Sequence, residues 1–312
     1  MQMKVLYAAM VIGLSTTLMT GCLDSGSDSG SVTPSGSDSG SVTPSEGDYS
    51  GKTSAAVLGS PDEVNEILQK TLFADQGLST DPSDVENIST VKYALKNTVE
   101  TGGSYTGACG GTREVVLDEA TNTFTNTFAD YCREYYDGTK IVYNGQYTYT
   151  EDEDGVETQV FTNFSEVIAE YKLNVVLNGE SVWTPSGDYE GTSLTNLTTT
   201  DRTNNIQYSL VDFETIVIEY DVDGGTDYET FDSKGRMFQS ELGMLKIDTL
   251  TPMKHWLDSV SDELPPVEGK IRLIGDRSYI LLFKEDGYEL GEEDGTTGNF
   301  KAGASKSFTY DD

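Results

Sequence analysis

Residues 135–150 read YYDGTKIVYNGQYTYT, and the reading of this stretch decides the fold. Aromatic and β-branched residues alternate with polar ones, the period of a strand with one buried face. Asp137-Gly138 and Asn144-Gly145 interrupt the alternation. Such pairs supply the positive φ that two-residue hairpin turns require. The stretch therefore predicts short antiparallel strands, Ile141-Val142-Tyr143 and Tyr147-Thr148-Tyr149, joined by tight turns.

The same pattern extends both ways. Upstream, Arg113 to Leu117 and Thr123 to Cys132 read as strands around a turn at Asp118 to Asn122. Cys109 and Cys132 are placed symmetrically about the centre of that turn, so a regular hairpin sets them opposite each other, near disulfide geometry. A metal or redox thiol pair lacks the neighbouring ligands or the close spacing. Downstream, an acidic turn at Glu151 to Gly155 precedes Thr158 to Phe164. Tyr171 to Leu177, Asn178-Gly179 and Ser181-Val182-Trp183 predict a further hairpin. Ile206 to Phe213, Thr215 to Tyr220, Tyr228 to Phe231, Met237-Phe238, Met244 to Ile247, Gly269 to Gly275 and Ser278 to Phe283 continue the series. Asn144-Gly145 and Asn178-Gly179 each precede a Phe-x-x-Phe or Leu-x-x-Phe segment, at 161–164 and 210–213, without a fixed period.

Two stretches read as helices. Ser60-Pro61-Asp62-Glu63 is a capping box with Pro at the first helical position, and Val64, Ile67, Leu68 and Leu72 share one face. Thr251-Pro252 predicts a second helix through Leu257. The expected class is mainly β: an antiparallel meander forming one broad, twisted or curved sheet with two short helices, over residues 60–312.

The amino terminus carries a different signal. Lys4 precedes an apolar run from Val5 to about Met19, shorter than the roughly 20 residues a spanning helix needs. Met19-Thr20-Gly21-Cys22 then resembles the lipobox of bacterial lipoproteins. The resemblance implies a signal peptide at 1–21, cleavage before Cys22, and acyl chains on that cysteine. Each buried methylene contributes about 0.8 kcal/mol, so several chains anchor without a spanning helix. Leu23, where Asp marks inner-membrane retention in enterobacterial lipoproteins, implies the outer membrane. An oxidising compartment then favours a Cys109–Cys132 disulfide.

Residues 25–34, SGSDSGSVTP, recur identically at 35–44. This composition cannot offset the entropy of ordering, so 22–59 is expected to be the lipidated Cys followed by a flexible linker. Removing 1–21 takes away Lys4 and no acid, leaving 19 Lys+Arg against 53 Asp+Glu, a net charge of −34. That balance excludes nucleic acid as a partner, since phosphate binding needs basic patches. It also opposes direct contact with anionic lipid.

No motif names a reaction. His255 is the sole histidine, beside Trp256, and no Gly-x-Ser-x-Gly elbow occurs. A histidine-based zinc site is excluded on the same count, and no cofactor or metal is expected. Asp221 to Asp227 places its glycines too early for an EF-hand and reads as a hairpin turn. Tyr143, Tyr147 and Tyr149 share one strand face. If open, it offers a platform for glycan or peptide; if covered, it is core, and a sheet needs one buried face.

The lipobox, Cys109-Gly110-Gly111, the hairpin to Cys132, the Asn-Gly pairs and Pro266 to Gly269 together resemble β-rich lipoproteins of marine gammaproteobacteria. That resemblance implies an architecture and no mechanism. The expectation is a non-enzymatic outer-membrane lipoprotein, a structural or binding module whose partner is an envelope protein or a glycan. The alternatives are a carrier of lipid or apolar ligand beneath the helix at 60–73, a carboxylate-dependent hydrolase, and a calcium-stiffened adhesin.

Overall fold

A computed structural model describes residues 49–71, 102–134, 138–170, 172–187, 190–223, 226–257 and 266–309. Among them are one helix, α1 (Pro61–Thr71), and fourteen strands. These are β1 (Gly103–Thr106), β2 (Thr112–Asp118), β3 (Thr123–Glu134), β4 (Lys140–Glu151), β5 (Glu157–Ile168), β6 (Leu173–Pro185) and β7 (Gly191–Asp201). Then follow β8 (Ile206–Asp223), β9 (Thr226–Gln239), β10 (Gly243–Leu257), β11 (Glu268–Ile274), β12 (Ser278–Lys284), β13 (Gly287–Glu293) and β14 (Phe300–Thr309). Each strand pairs antiparallel with its sequence neighbours in one unclosed sheet, ordered β1 to β14. The expected meander is therefore the architecture.

Its strands are longer than expected, because the Asn-Gly pairs are not turns. Asn144-Gly145 lies inside β4 and Asn178-Gly179 inside β6. Both face β-bulges. In β5, Thr162 and Asn163 together oppose Asn178, and Asn163 has φ +47°. The Asn163 N–H donates to Asn178 Oδ1 at 2.6 Å. The device recurs twice. Asp130 of β3 (φ +50°) donates its N–H to Asn144 Oδ1 at 2.7 Å, and Asp212 of β8 (φ +48°) to Asn196 Oδ1 at 2.8 Å. Gly145 completes the β5 bulge from the other side: it has φ +89°, and a Cβ there would overlap the Asn163 carbonyl oxygen. A bulge bends its strand and increases its twist. Aligned on β3, β5 and β8, these form a bent seam across the sheet.

Each bulge also changes which residues point inward. In β5 the buried set passes from Glu157, Gln159 and Phe161 to Phe164, and in β8 from Leu210 to Phe213. The inward face carries two apolar clusters. One, on β2 to β7, contains Phe128, Tyr143, Tyr147, Phe161 and Phe164. The other, on β8 to β14, contains Phe213, Ile247, Leu273, Tyr279 and Leu281, with Val64 and Leu68 of α1.

The segment at 251–257 is strand, not helix: it closes β10. Pro252 and Met253 oppose Gly269 of β11, and a bulge is one of the few places where a sheet accepts proline. Strand β7 has no counterpart in the sequence reading, because its inward positions include Ser193 and Thr195 rather than large apolar residues.

The folded body also begins earlier than residue 60. Ser50 N–H donates to Gln207 Oε1, Ala56 N–H to the Met244 carbonyl, and Leu58 N–H to Asp276 Oδ1. Ala56 and Leu58 are fully buried. Residues 49–59 thus belong to the body rather than to a spacer. The capping box forms as expected: Ser60 N–H donates to Glu63 Oε2 at 2.6 Å and Glu63 N–H to Ser60 Oγ at 3.4 Å. α1 packs on β13 and β14.

Near the carboxyl terminus, Glu293 holds the β13–β14 turn. Its buried carboxylate accepts from Arg272 Nη2 at 2.6 Å, from the Ser278 hydroxyl and from the Gly298 N–H. Burial pushes its pKa up, but the hydrogen bonds from Arg272, Ser278 and Gly298 outweigh that and hold it below the usual carboxylate range.

Gly138 and Gly145 share φ +89°, yet a Cβ at Gly138 meets nothing within 4 Å. Gly138→Ala should cost about 1–2 kcal/mol for the backbone alone. Gly145→Ala should cost about 1–3 kcal/mol more, read as a lower urea midpoint, because the bulge must shift. The lowered folded-state pKa of Glu293 makes its contribution complete above the unfolded value, and it is lost as pH falls through the folded one. Glu293→Gln should cost about 3 kcal/mol at pH 7 by leaving Arg272 uncompensated. The wild-type advantage in urea denaturation should shrink steadily below about pH 4.3.

Candidate functional site

Cys22, the lipidation candidate, lies outside the described residues. Cys109 and Cys132 form a disulfide with Cα atoms 5.1 Å apart. The β2–β3 register carries the symmetry that the sequence reading used, from Asp118↔Thr123 to Thr112↔Ala129. The Cys132 N–H donates to the Gly110 carbonyl at 2.9 Å, so the pairing continues past the strand end. The bridge staples the first long hairpin beside the bulge at Asp130.

Tyr143, Tyr147 and Tyr149 lie together on the inward face of β4, at 4%, 2% and 7% exposure. The open platform is not what this face offers: the three rings are core. Tyr147 stands 5.2 Å from Phe161, and Tyr143 packs against Phe128 and Phe164. The Tyr149 hydroxyl donates to Glu151 Oε2 at 3.1 Å. Burial, and next the charge of Glu157, push both the Tyr147 and Tyr149 hydroxyls far above the usual phenol range. Among the described residues the Tyr147 hydroxyl and the amide nitrogen of Asn126, its cross-strand neighbour, find no hydrogen-bond partner.

A polar belt crosses the inward face of β5 to β9 beside the apolar clusters. Gln159, Ser181 and Thr195 form one cross-strand row, and Glu157, Trp183, Ser193, Thr215 and Ser233 the next. All are buried. The hydroxyls satisfy one another, Ser181 with Thr195 at 3.0 Å and Thr215 with Ser233 at 3.2 Å. Glu157 faces Glu151 across the β4–β5 ladder. This belt is a hydrogen-bonded interior, missed from the sequence because Ser and Thr at strand positions read as exposed.

A cleft of about 640 Å³ opens at the start of α1, lined among others by Asp62, Arg277, Tyr279, Glu292 and Lys306. Its carboxylates are engaged: Asp62 pairs with Lys306, and Glu292 with Lys301 at 3.2 Å. Beneath α1, Val64 and Leu68 fill the space themselves. His255 lies in β10, opposite Glu229. Asp221, Val222 and Asp223 of β8 pair with Tyr228, Asp227 and Thr226 of β9. Among the described residues no three His, Cys, Asp or Glu side chains gather to hold a metal ion, and no helix is long and apolar enough to cross a membrane. No family model matches the chain, and neither a curated protein nor a solved structure is detectably similar to it.

Closing a loop of 23-residue separation stabilises by about 3 kcal/mol in the chain-entropy model. Reductant should lower the urea-unfolding free energy by about that amount. Cys109→Ser/Cys132→Ser should start at the reduced value and ignore reductant.

Proposed function

We propose that this chain is a lipid-anchored envelope protein whose sheet is a non-enzymatic structural or binding module. The observation that carries the reading is the ending of the amino-terminal apolar run in Met19-Thr20-Gly21-Cys22. With Cys109 and Cys132 engaged with each other, Cys22 is the one cysteine of the three left for a thioether to diacylglycerol. Leu23 in place of Asp favours the outer membrane. The likeness to β-rich lipoproteins of marine gammaproteobacteria agrees with this address and adds no reaction.

Residues 23–48 then form the tether. A Gly/Ser-rich coil of that length has a root-mean-square span of roughly 25–30 Å, enough to hold an acidic body clear of anionic headgroups. Its attachment is defined, because Ser50 to Leu58 is hydrogen-bonded along β8, β10 and the β11–β12 turn. The packed space beneath α1 weighs against an apolar ligand there. The engaged carboxylates of the cleft weigh against a hydrolytic pair there.

The test is intact mass and fractionation in the native host. The mature protein should begin at Cys22, carry diacylglycerol and an amide-linked acyl chain, and sediment with the outer membrane. Cys22→Ala should release it from the lipid-anchored pool. A wild-type chain that begins at residue 1, or that carries an unmodified Cys22, contradicts the reading.

A further inference from the structure

We infer that Arg113 and Asn126 form a site for the carboxylate group of a small monocarboxylic acid with an apolar body. The inference rests on the binding-module reading above and gives that module a site and a ligand class. Arg113 stands on the inward face of β2, opposite Phe128 of β3. Its guanidinium carbon lies 5.7 Å from the centre of the Tyr105 ring and 5.9 Å from that of Phe128. Its Nε–H donates to Asn126 Oδ1 at 2.9 Å, which fixes the plane of the guanidinium fork. Tyr131 packs against Phe128 with ring centres 5.9 Å apart. Tyr105, on the four-residue edge strand β1, is 38% exposed, so the aromatic wall on that side is reached from solvent.

What this cluster lacks is an acid. The chain carries 53 Asp and Glu against 20 Lys and Arg. Elsewhere acids take up the cations: Glu293 holds Arg272 at 2.6 Å, and Asp212 holds Arg236 at 2.5 Å. Among the described residues Arg113 makes no ion pair. Burial holds its guanidinium below the usual range; Tyr131 and Tyr105 oppose that shift, and the nearby charge of Arg133 adds to it. Phenols are uncharged at neutral pH, so neither tyrosine is a counter-ion. Cations taken out of water are ordinarily paired. Asn126 shows a second deficit. Its side chain is fully buried, Oδ1 is committed to Arg113, and Nδ2 beside that contact has no partner. Native interiors leave few such donors unmade. One anion meets both deficits.

A carboxylate is the anion that fits. Its two oxygens match the paired N–H groups of a guanidinium fork. It carries a single charge, so the acidic body repels it less than a phosphate dianion. The rings of Tyr105 and Phe128 flank the fork and offer the acid's apolar body a surface. Stacking on those rings is enough to keep a guanidinium in place without a ligand. The experiment separates that role from binding.

The measurement is ligand-observed NMR titration of the mature, acylated protein in non-ionic detergent. The probes are benzoate, its uncharged isostere benzamide, and inorganic phosphate. Benzoate should bind saturably, and benzamide and phosphate about tenfold or more weakly. Arg113→Lys, which keeps the charge and loses the fork, should weaken benzoate about tenfold. Asn126→Asp supplies the missing counter-ion from within; it should abolish benzoate binding with a melting temperature equal to or above that of the wild type. The inference is overturned by no saturable benzoate binding to the wild type, by benzamide or phosphate binding as tightly as benzoate, or by equal benzoate affinity of the wild type and Asn126→Asp. Mass analysis of the same preparation reports Cys22 acylation independently, so failure of the carboxylate site and failure of the anchor are read separately.

Discussion

The structure depends on a backbone N–H that a regular ladder would leave without a partner. Where β3, β5 and β8 each insert an extra residue, the chain turns into the left-handed region at Asp130, Asn163 and Asp212. The freed amide is taken by an asparagine side chain on a neighbouring strand, Asn144, Asn178 or Asn196. These bulge residues are exposed, so each asparagine oxygen contributes a net hydrogen bond of about 0.5–1.5 kcal/mol. The three bonds hold the bends on one line. A sheet of fourteen strands is beyond the size at which open sheets stay simply twisted, and the bends give it a defined way to curl.

The two faces follow from the bends. Inward residues change parity at each bulge, which keeps Phe161 and Phe164, or Leu210 and Phe213, on the same side. Without that change, half of each long strand would turn its apolar residues to water. The cluster of β2 to β7 and that of β8 to β14 can then share one face, meeting at Leu197 and Leu210, with bonded serine and threonine hydroxyls beside them. The opposite face is mixed: Thr198, Ser209, Phe238 and Ile280 are buried on it, while ion pairs such as Lys246–Asp248 and Lys284–Glu289 are partly exposed there.

Much of this was legible in the sequence, through local chemistry. The capping box at Ser60 and Glu63 has one physical meaning and formed as read. The symmetry of Cys109 and Cys132 about a turn is a matter of register, and the register held. Asn144-Gly145 was ambiguous, because a positive φ serves a hairpin turn and a bulge partner equally; only the residues across the ladder decide. Thr251-Pro252 looks like a helix start, but Pro252 sits at a bulge opposite Gly269. For Tyr143, Tyr147 and Tyr149, alternation placed the rings on one face but not on which side of the sheet the core would lie. Strand β7 left no trace, since Ser193 and Thr195 point inward and give no hydrophobic period. The anchor at Cys22 is a statement of the sequence alone.

The most direct test of the bulge seam is site-resolved hydrogen exchange of the folded protein. The amides of Asp130, Asn163 and Asp212 should exchange as slowly as ladder amides beside them, because each is held by an asparagine oxygen. Exchange at the rate of an unprotected amide would mean that the side chains do not hold the bends and that the seam does not organise the sheet.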